Sequence, residues 1–185
     1  MKKLITCASW ALLMLGCSDA GKTSEENVVA DTSSSTEPMT STVKYAYTLP
    51  EPYAEWERGD MKHVETALNS LKAWETGDIA ACVTAFGDSV VLRFDGFHQK
   101  LSQDSLLKHF TKTRAELASQ EVQMHDWESV ISKDRSKEYV TLWYKEISTD
   151  KKGRKDSVSV VDDLKFVNGK IVELDQKIQH FPAKK

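Results

Sequence analysis

The stretch SVSVVDDLKFV at residues 157–167, then Asn168-Gly169, then KIVELDQKIQHF at residues 170–181, decides the reading of this chain. Val158, Val160, Leu164 and Phe166 fall on alternate positions, the period of a strand with one buried face. Asn-Gly between two such runs is the strongest short hairpin signal, because both residues tolerate the positive φ of a two-residue turn. The pattern extends upstream. Residues 138–147 hold Tyr139, Val140, Leu142, Trp143 and Tyr144, and reach the 157–167 run through the turn Asp150-Lys151-Lys152-Gly153. Residues 122–131, with Trp127, form a further strand that stops at Lys133-Asp134-Arg135-Ser136. Four consecutive antiparallel strands follow from these runs.

Before them the period changes. Val64, Ala67, Leu68, Leu71 and Trp74 recur at helical spacing, and Gly77-Asp78 ends that stripe as a glycine just past a helix does. Residues 79–86 read as a short second helix. Val90-Val91-Leu92-Arg93-Phe94 reads as a strand closed by Asp95-Gly96. A third helix opens at Ser102, the natural N-cap, and carries Leu106, Leu107, Phe110, Arg114 and Leu117. The expected order is helix, helix, strand, helix and four strands: an α+β domain with its helices segregated from a meandering sheet.

The amino terminus is of another kind. Lys2-Lys3 precede residues 4–16, which carry no charge and are too short to span a bilayer core. Such a run reads as an export signal. Met14-Leu15-Gly16-Cys17 resembles a lipoprotein lipobox, which implies a signal peptide at 1–16 and a lipidated Cys17; an ordinary secretory signal is the alternative. Eleven of the residues 18–42 are Ser or Thr and none is aromatic, so residues 17–50 read as a disordered tether. Tyr45, Tyr47, Leu49, Tyr53 and Trp56 mark an aromatic approach to the domain, which occupies 51–185. The expected location is the bacterial cell envelope, lipid-anchored, with the domain outside the cytoplasm.

The full chain has 185 residues and a formal charge of −3 at pH 7. That balance gives no reason to expect a nucleic-acid partner. Of three cysteines, Cys7 leaves with the signal and Cys17 is the anchor, so Cys82 is left as a free thiol in an apolar setting, read as core filler. The histidines are scattered, with no metal-ligand spacing, and neither a Gly-rich phosphate loop nor a nucleophile elbow occurs. No cofactor is expected.

The chain resembles the nuclear transport factor 2-like superfamily, and within it the SnoaL-like bacterial members. Three pieces carry the resemblance: the helix exit at residues 71–78 (LKAWETGD), the strand entry at 86–90 (FGDSV), and the turn into the last strand at 168–173 (NGKIVE). It implies a cone-like curved mixed or antiparallel sheet wrapped around about three N-terminal helices, with a pocket at the open end and a homodimer through the sheet. Isomerase-like members use an Asp at the end of the first strand. That position falls here on Phe94, with Asp95 one residue late and so turned to the other face.

By alternation Asp162 shares a face with Val158, Val160, Leu164 and Phe166, while Asp163 falls with Ser157, Ser159 and Lys165. A carboxylate on an apolar face loses hydration, which raises its pKa toward the range of general acids and bases. A hydrated or salt-bridged Asp162 near a sheet edge is the competing reading. Phe94, Trp127, Trp143 and Tyr144 are the expected pocket walls, although Trp143 and Tyr144 are adjacent and only one can face a given cavity. A hydrolase-type cluster would need Asp95, Asp162 and Asp175 to converge. The leading expectation is a membrane-anchored module that binds a small, largely apolar ligand or a protein partner without catalysis. The alternative is a cofactor-independent isomerase, cyclase or hydrolase with Asp162 as acid or base.

Overall fold

A computed structural model describes residues 44–181. The expected signal peptide at 1–16, Cys17 and nearly all of the expected tether lie outside the described residues. Seven strands and three helices follow in the order β1 (Trp56–Arg58), α1 (Met61–Thr76), α2 (Ile79–Val83), β2 (Phe86–Phe94), β3 (Phe97–Ser102), α3 (Gln103–Ala115), β4 (Leu117–Ser132), β5 (Glu138–Asp150), β6 (Lys155–Val167) and β7 (Lys170–His180). The strands form one curved, unclosed sheet in the order β1-β4-β5-β6-β7-β2-β3. All neighbours are antiparallel except β2 and β7, which are parallel. The expected α+β architecture is present, with the four long strands β4 to β7 in sequence.

Two strands exceed the sequence expectation. β3 stands where the chain was expected to pass straight into the third helix. It pairs with β2 through the Asp95-Gly96 turn, bringing Phe94 opposite Phe97 and Val90 opposite Leu101. Its sequence, FHQKLS, is mostly polar because it is an edge strand with one face in solvent. β1 has three residues, paired to Val130, Ile131 and Ser132, too few to show a period. The second helix also stops at Val83, and β2 begins at Phe86 instead of Val90.

The helices lie on the concave face and are fixed at their ends. Asp60 caps α1 by accepting from the Lys62 amide at 2.8 Å, and Asp78 caps α2 through the Ala81 amide at 3.0 Å. Gly77, at φ 85°, lets α1 end in the left-handed conformation, with the Asp78 amide donating to the Ala73 carbonyl. Arg114 of α3 donates from Nε to the Trp74 carbonyl and from Nη2 to the Glu75 carbonyl, each at 3.1 Å. Glu75 in turn accepts from the Val122 amide of β4. These bonds lock α1, α3 and the start of β4 together at one end of the sheet. Val64, Ala67, Leu106 and Phe110 from the helices meet Val90, Leu92, Val140, Leu142, Leu164 and Phe166 from the sheet in one core.

Of the aromatic approach, Tyr45, Tyr47 and Leu49 stand exposed and do not pack. Tyr53 does, against Trp56, which meets Tyr139 edge-on. No helix among the described residues is long and apolar enough to cross a membrane.

Candidate functional site

Between the concave face and the helices lies a cavity of about 400 Å³. Its position follows from the pleat. On β5, Leu142, Tyr144, Glu146 and Ser148 alternate inward. On β6 Asp162 and Leu164 do so, and on β7 Leu174, Gln176 and Ile178. Register then sets the neighbours: Leu142 pairs with Asp162, Asp162 with Gln176, and Leu164 with Leu174. Trp74 and Phe110 roof these strands from α1 and α3, and Phe86, Ile171 and Leu174, all buried, close the far end. Exposed Thr113 and Ile178, with half-buried Leu117 and Ser148, mark the mouth at the other end. From mouth to floor the polar groups come in the order Ser148, Glu146, Tyr144, Asp162.

Three of the residues expected from sequence meet here: Phe94, Tyr144 and Asp162. Two do not line the cavity. Trp143 follows the pleat to the opposite face from Tyr144. Trp127 follows a bulge between Met124 and Asp126 and is 44% exposed, in a shallow depression with Trp56 and Met61. Nor do Asp95, Asp162 and Asp175 converge. Asp95 belongs to the β2–β3 turn. Asp175 lies with Asp163 on the outer face, where Lys177 sits 2.7 Å from Asp163 and 3.4 Å from Asp175.

Asp162 is 5% exposed. Its Oδ2 accepts from the Tyr144 hydroxyl at 2.8 Å and its Oδ1 from Gln176 Nε2 at 3.0 Å. Burial pushes its pKa up to about 6, with the two hydrogen bonds restraining the rise. Glu146 is pushed up to about 7, chiefly by burial and then by the charge of Asp162. The Tyr144 hydroxyl is held well above its ordinary value, first by burial and next by Asp162. Gln120 of β4 lies beside Glu146 and eases its ionisation. Yet Gln120 is only 9% exposed and neither of its amide atoms makes a hydrogen bond of proper geometry.

Cys82 also lines the cavity, but burial raises its thiol pKa, opposite to what a nucleophilic thiolate needs. Ser70 donates to the Cys82 carbonyl at 2.9 Å and lies 3.5 Å from its sulfur. Among the described residues no His, Cys, Asp and Glu group is placed to hold a metal ion. The arrangement can seat a molecule of modest size, orient it against Tyr144 and Gln176, and hold or move a proton at Asp162 or Glu146.

The sequence reading did not single out Glu146, Gln176 or Gln120. Glu146 was within reach: it continues the alternation Val140, Leu142, Tyr144 that marks the inward face of β5, by the same reasoning that selected Asp162. Gln176 needed the β6–β7 register. Gln120 needed the pairing of β4 with β5, which puts it opposite Ser148.

No protein-family profile matches the chain, and no curated protein matches it. Solved structures do. A nuclear transport factor 2-like protein of unknown function from Burkholderia pseudomallei superposes with a TM-score of 0.54 at 16% identity, over 64% of this chain and 91% of that one. An epoxide hydrolase of the LEH-like kind from M. tuberculosis gives 0.53 at 14% identity, over 64% and 79%. AusH from Aspergillus nidulans gives 0.53 at 18% identity, over 66% and 87%. At these identities the likeness is one of architecture. Curved sheet, three helices and enclosed hollow together give this domain the nuclear transport factor 2-like fold.

Proposed function

We propose that this protein is a lipid-anchored, extracytoplasmic module that takes up a small, largely apolar molecule in the cavity. The observation that carries this reading is the hollow itself: about 400 Å³, walled mainly by aliphatic and aromatic side chains, with polar groups placed among them, most of them on β5 to β7. That composition is typical of small-molecule sites. Native mass spectrometry of the full-length protein extracted in detergent tests it. A bound small molecule is expected on the wild type and not on Leu164→Trp, which fills the hollow. A wild type free of adduct that also takes up no added cyclohexanol overturns the reading.

The anchor is tested separately. Cys17→Ser is expected to leave the signal uncleaved by the lipoprotein peptidase or to release the protein from membranes. Processing and membrane association both unchanged would remove the lipid from the proposal.

A second reading, acid–base catalysis, is favoured by Asp162 and Glu146 having pKa values of about 6 and 7 in one cavity. Near neutral pH Asp162 is mostly a base while half of Glu146 remains an acid, an arrangement suited to moving a proton on a bound substrate. The solved neighbours include an LEH-like epoxide hydrolase, so ring hydration is a reaction class to assay. Loss of turnover in Asp162→Asn with ligand uptake retained supports catalysis. Unchanged turnover in that variant overturns it.

A further inference from the structure

We propose that the molecule this cavity selects is a small amphiphilic cation, a protonated amine on an apolar body, with its ammonium group at the Glu146–Tyr144–Asp162 side. The inference deepens the binding role proposed above and rests on it.

Charge and hydrogen-bonding inventory carry it. The ionisable groups facing the cavity are Cys82 from α2, His109 from α3, Tyr144 and Glu146 from β5, and Asp162 from β6. Among the described lining residues there is no Lys or Arg. Lys177, the cation nearest Asp162 in its effect, belongs to the outer face, where Asp163 and Asp175 hold it. Two carboxyls on the sheet side therefore share one apolar enclosure with no Lys or Arg inside it, the one imidazole of the lining, His109, belonging to α3. Buried charges in folded proteins are normally paired.

Asp162 has two donors, Tyr144 and Gln176, and each oxygen keeps a further lone pair. Glu146, nearer the mouth, accepts no hydrogen bond of proper geometry among the described residues, and the carboxamide of Gln120 beside it is buried and unpartnered. Gln120 Nε2 is itself a donor beside Glu146, so what the corner leaves unmet is positive charge: two carboxyls face the cavity with no Lys or Arg. An alkylammonium brings donors and charge together, while its apolar body meets Trp74, Phe110 and Leu164. A carboxylate or phosphate ligand would set its negative charge against these two carboxyls, with no Lys or Arg in the lining to receive it.

Three probes with one apolar body decide the matter: cyclohexylamine, cyclohexanol and cyclohexanecarboxylate. Each is titrated by calorimetry at pH 8 into the full-length protein in non-ionic detergent. The amine is expected to bind about tenfold or more tighter than the alcohol, the scale of a charge-assisted hydrogen bond, with the carboxylate weakest. The double variant Asp162→Asn/Glu146→Gln is expected to bring amine and alcohol within about twofold of each other, leaving alcohol binding in place. If the double variant loses the alcohol as well, Glu146→Gln alone decides. A preference reduced by about threefold or more supports the proposal, and an unchanged preference overturns it. Alcohol or carboxylate binding as tightly as the amine to the wild type overturns the cation alone. Failure of all three probes overturns the small-molecule reading beneath it.

Discussion

Asp162 and Asp163 are adjacent and chemically the same, yet the pleat gives them opposite surroundings. Asp163 takes a hydrogen bond from Thr141 at 2.8 Å and an ion pair from Lys177 in contact with water. Asp162 faces the cavity, short of water and of positive charge. The resulting rise in pKa fixes a sign for stability. A carboxyl that binds its proton more tightly when folded favours the folded state most below its unfolded pKa, and loses that contribution as pH climbs through its folded pKa. For Glu146 the window runs from the ordinary 4.5 up to about 7, and for Asp162 from the ordinary 3.8 up to about 6. Glu146→Gln keeps the shape and removes the charge. Its unfolding free energy from urea titration is expected to exceed that of the wild type at pH 8 by about 1–3 kcal/mol, with the gap closing toward pH 4. A gap that does not change with pH would show that Glu146 titrates as a solvated carboxyl. The inward face of Asp162 was legible from period two alone. Its partners were not, because Gln176 lies on another strand and only register brings it opposite.

At the scale of elements, α1 ends where three independent devices agree. Gly77 takes the left-handed turn, the Asp78 amide closes on Ala73, and Arg114 reaches from α3 to the carbonyls of Trp74 and Glu75. Arg114→Ala leaves those carbonyls without their charged donor and is expected to cost about 1–3 kcal/mol, read as a lower urea midpoint. Because Glu75 also holds the Val122 amide, the amides at the start of β4 are expected to exchange faster with solvent in that variant. An unchanged midpoint would mean water replaces the guanidinium at no cost. The helices were legible because caps and apolar stripes are local signals. β1 and β3 were not: one is too short to have a period, and the other is an edge strand whose alternate positions face water and so need no hydrophobic residue.

At the largest scale, the described domain is a sheet bent around three helices, and its strand order could not be read from single strands. β2, early in the chain, inserts in parallel beside β7, the last strand, with its hairpin partner β3 on its other side and β1 at the opposite edge. Runs of residues predict strands but not which edges meet, and a hollow exists only once they have met. The aromatic walls show this. Tyr144 and Phe94 arrive at the cavity, the pleat of β5 turns Trp143 away, and Trp127, although opposite Leu142, lies one strand farther out beside Trp56 and Met61.

The one-ended entrance has a further consequence. Glu146 stands close to the opening, whereas the closed end is made of Phe86, Ile171 and Leu174. For the cation proposed above, entry would be tail foremost, and the enclosure would then act as a gauge of length. In a series of straight-chain primary amines, affinity is expected to climb by about fourfold per added methylene, the gain from burying roughly 0.8 kcal/mol of CH₂. The climb should then stop abruptly once the tail touches bottom. A climb that never stops would mean the tail lies along the outside instead.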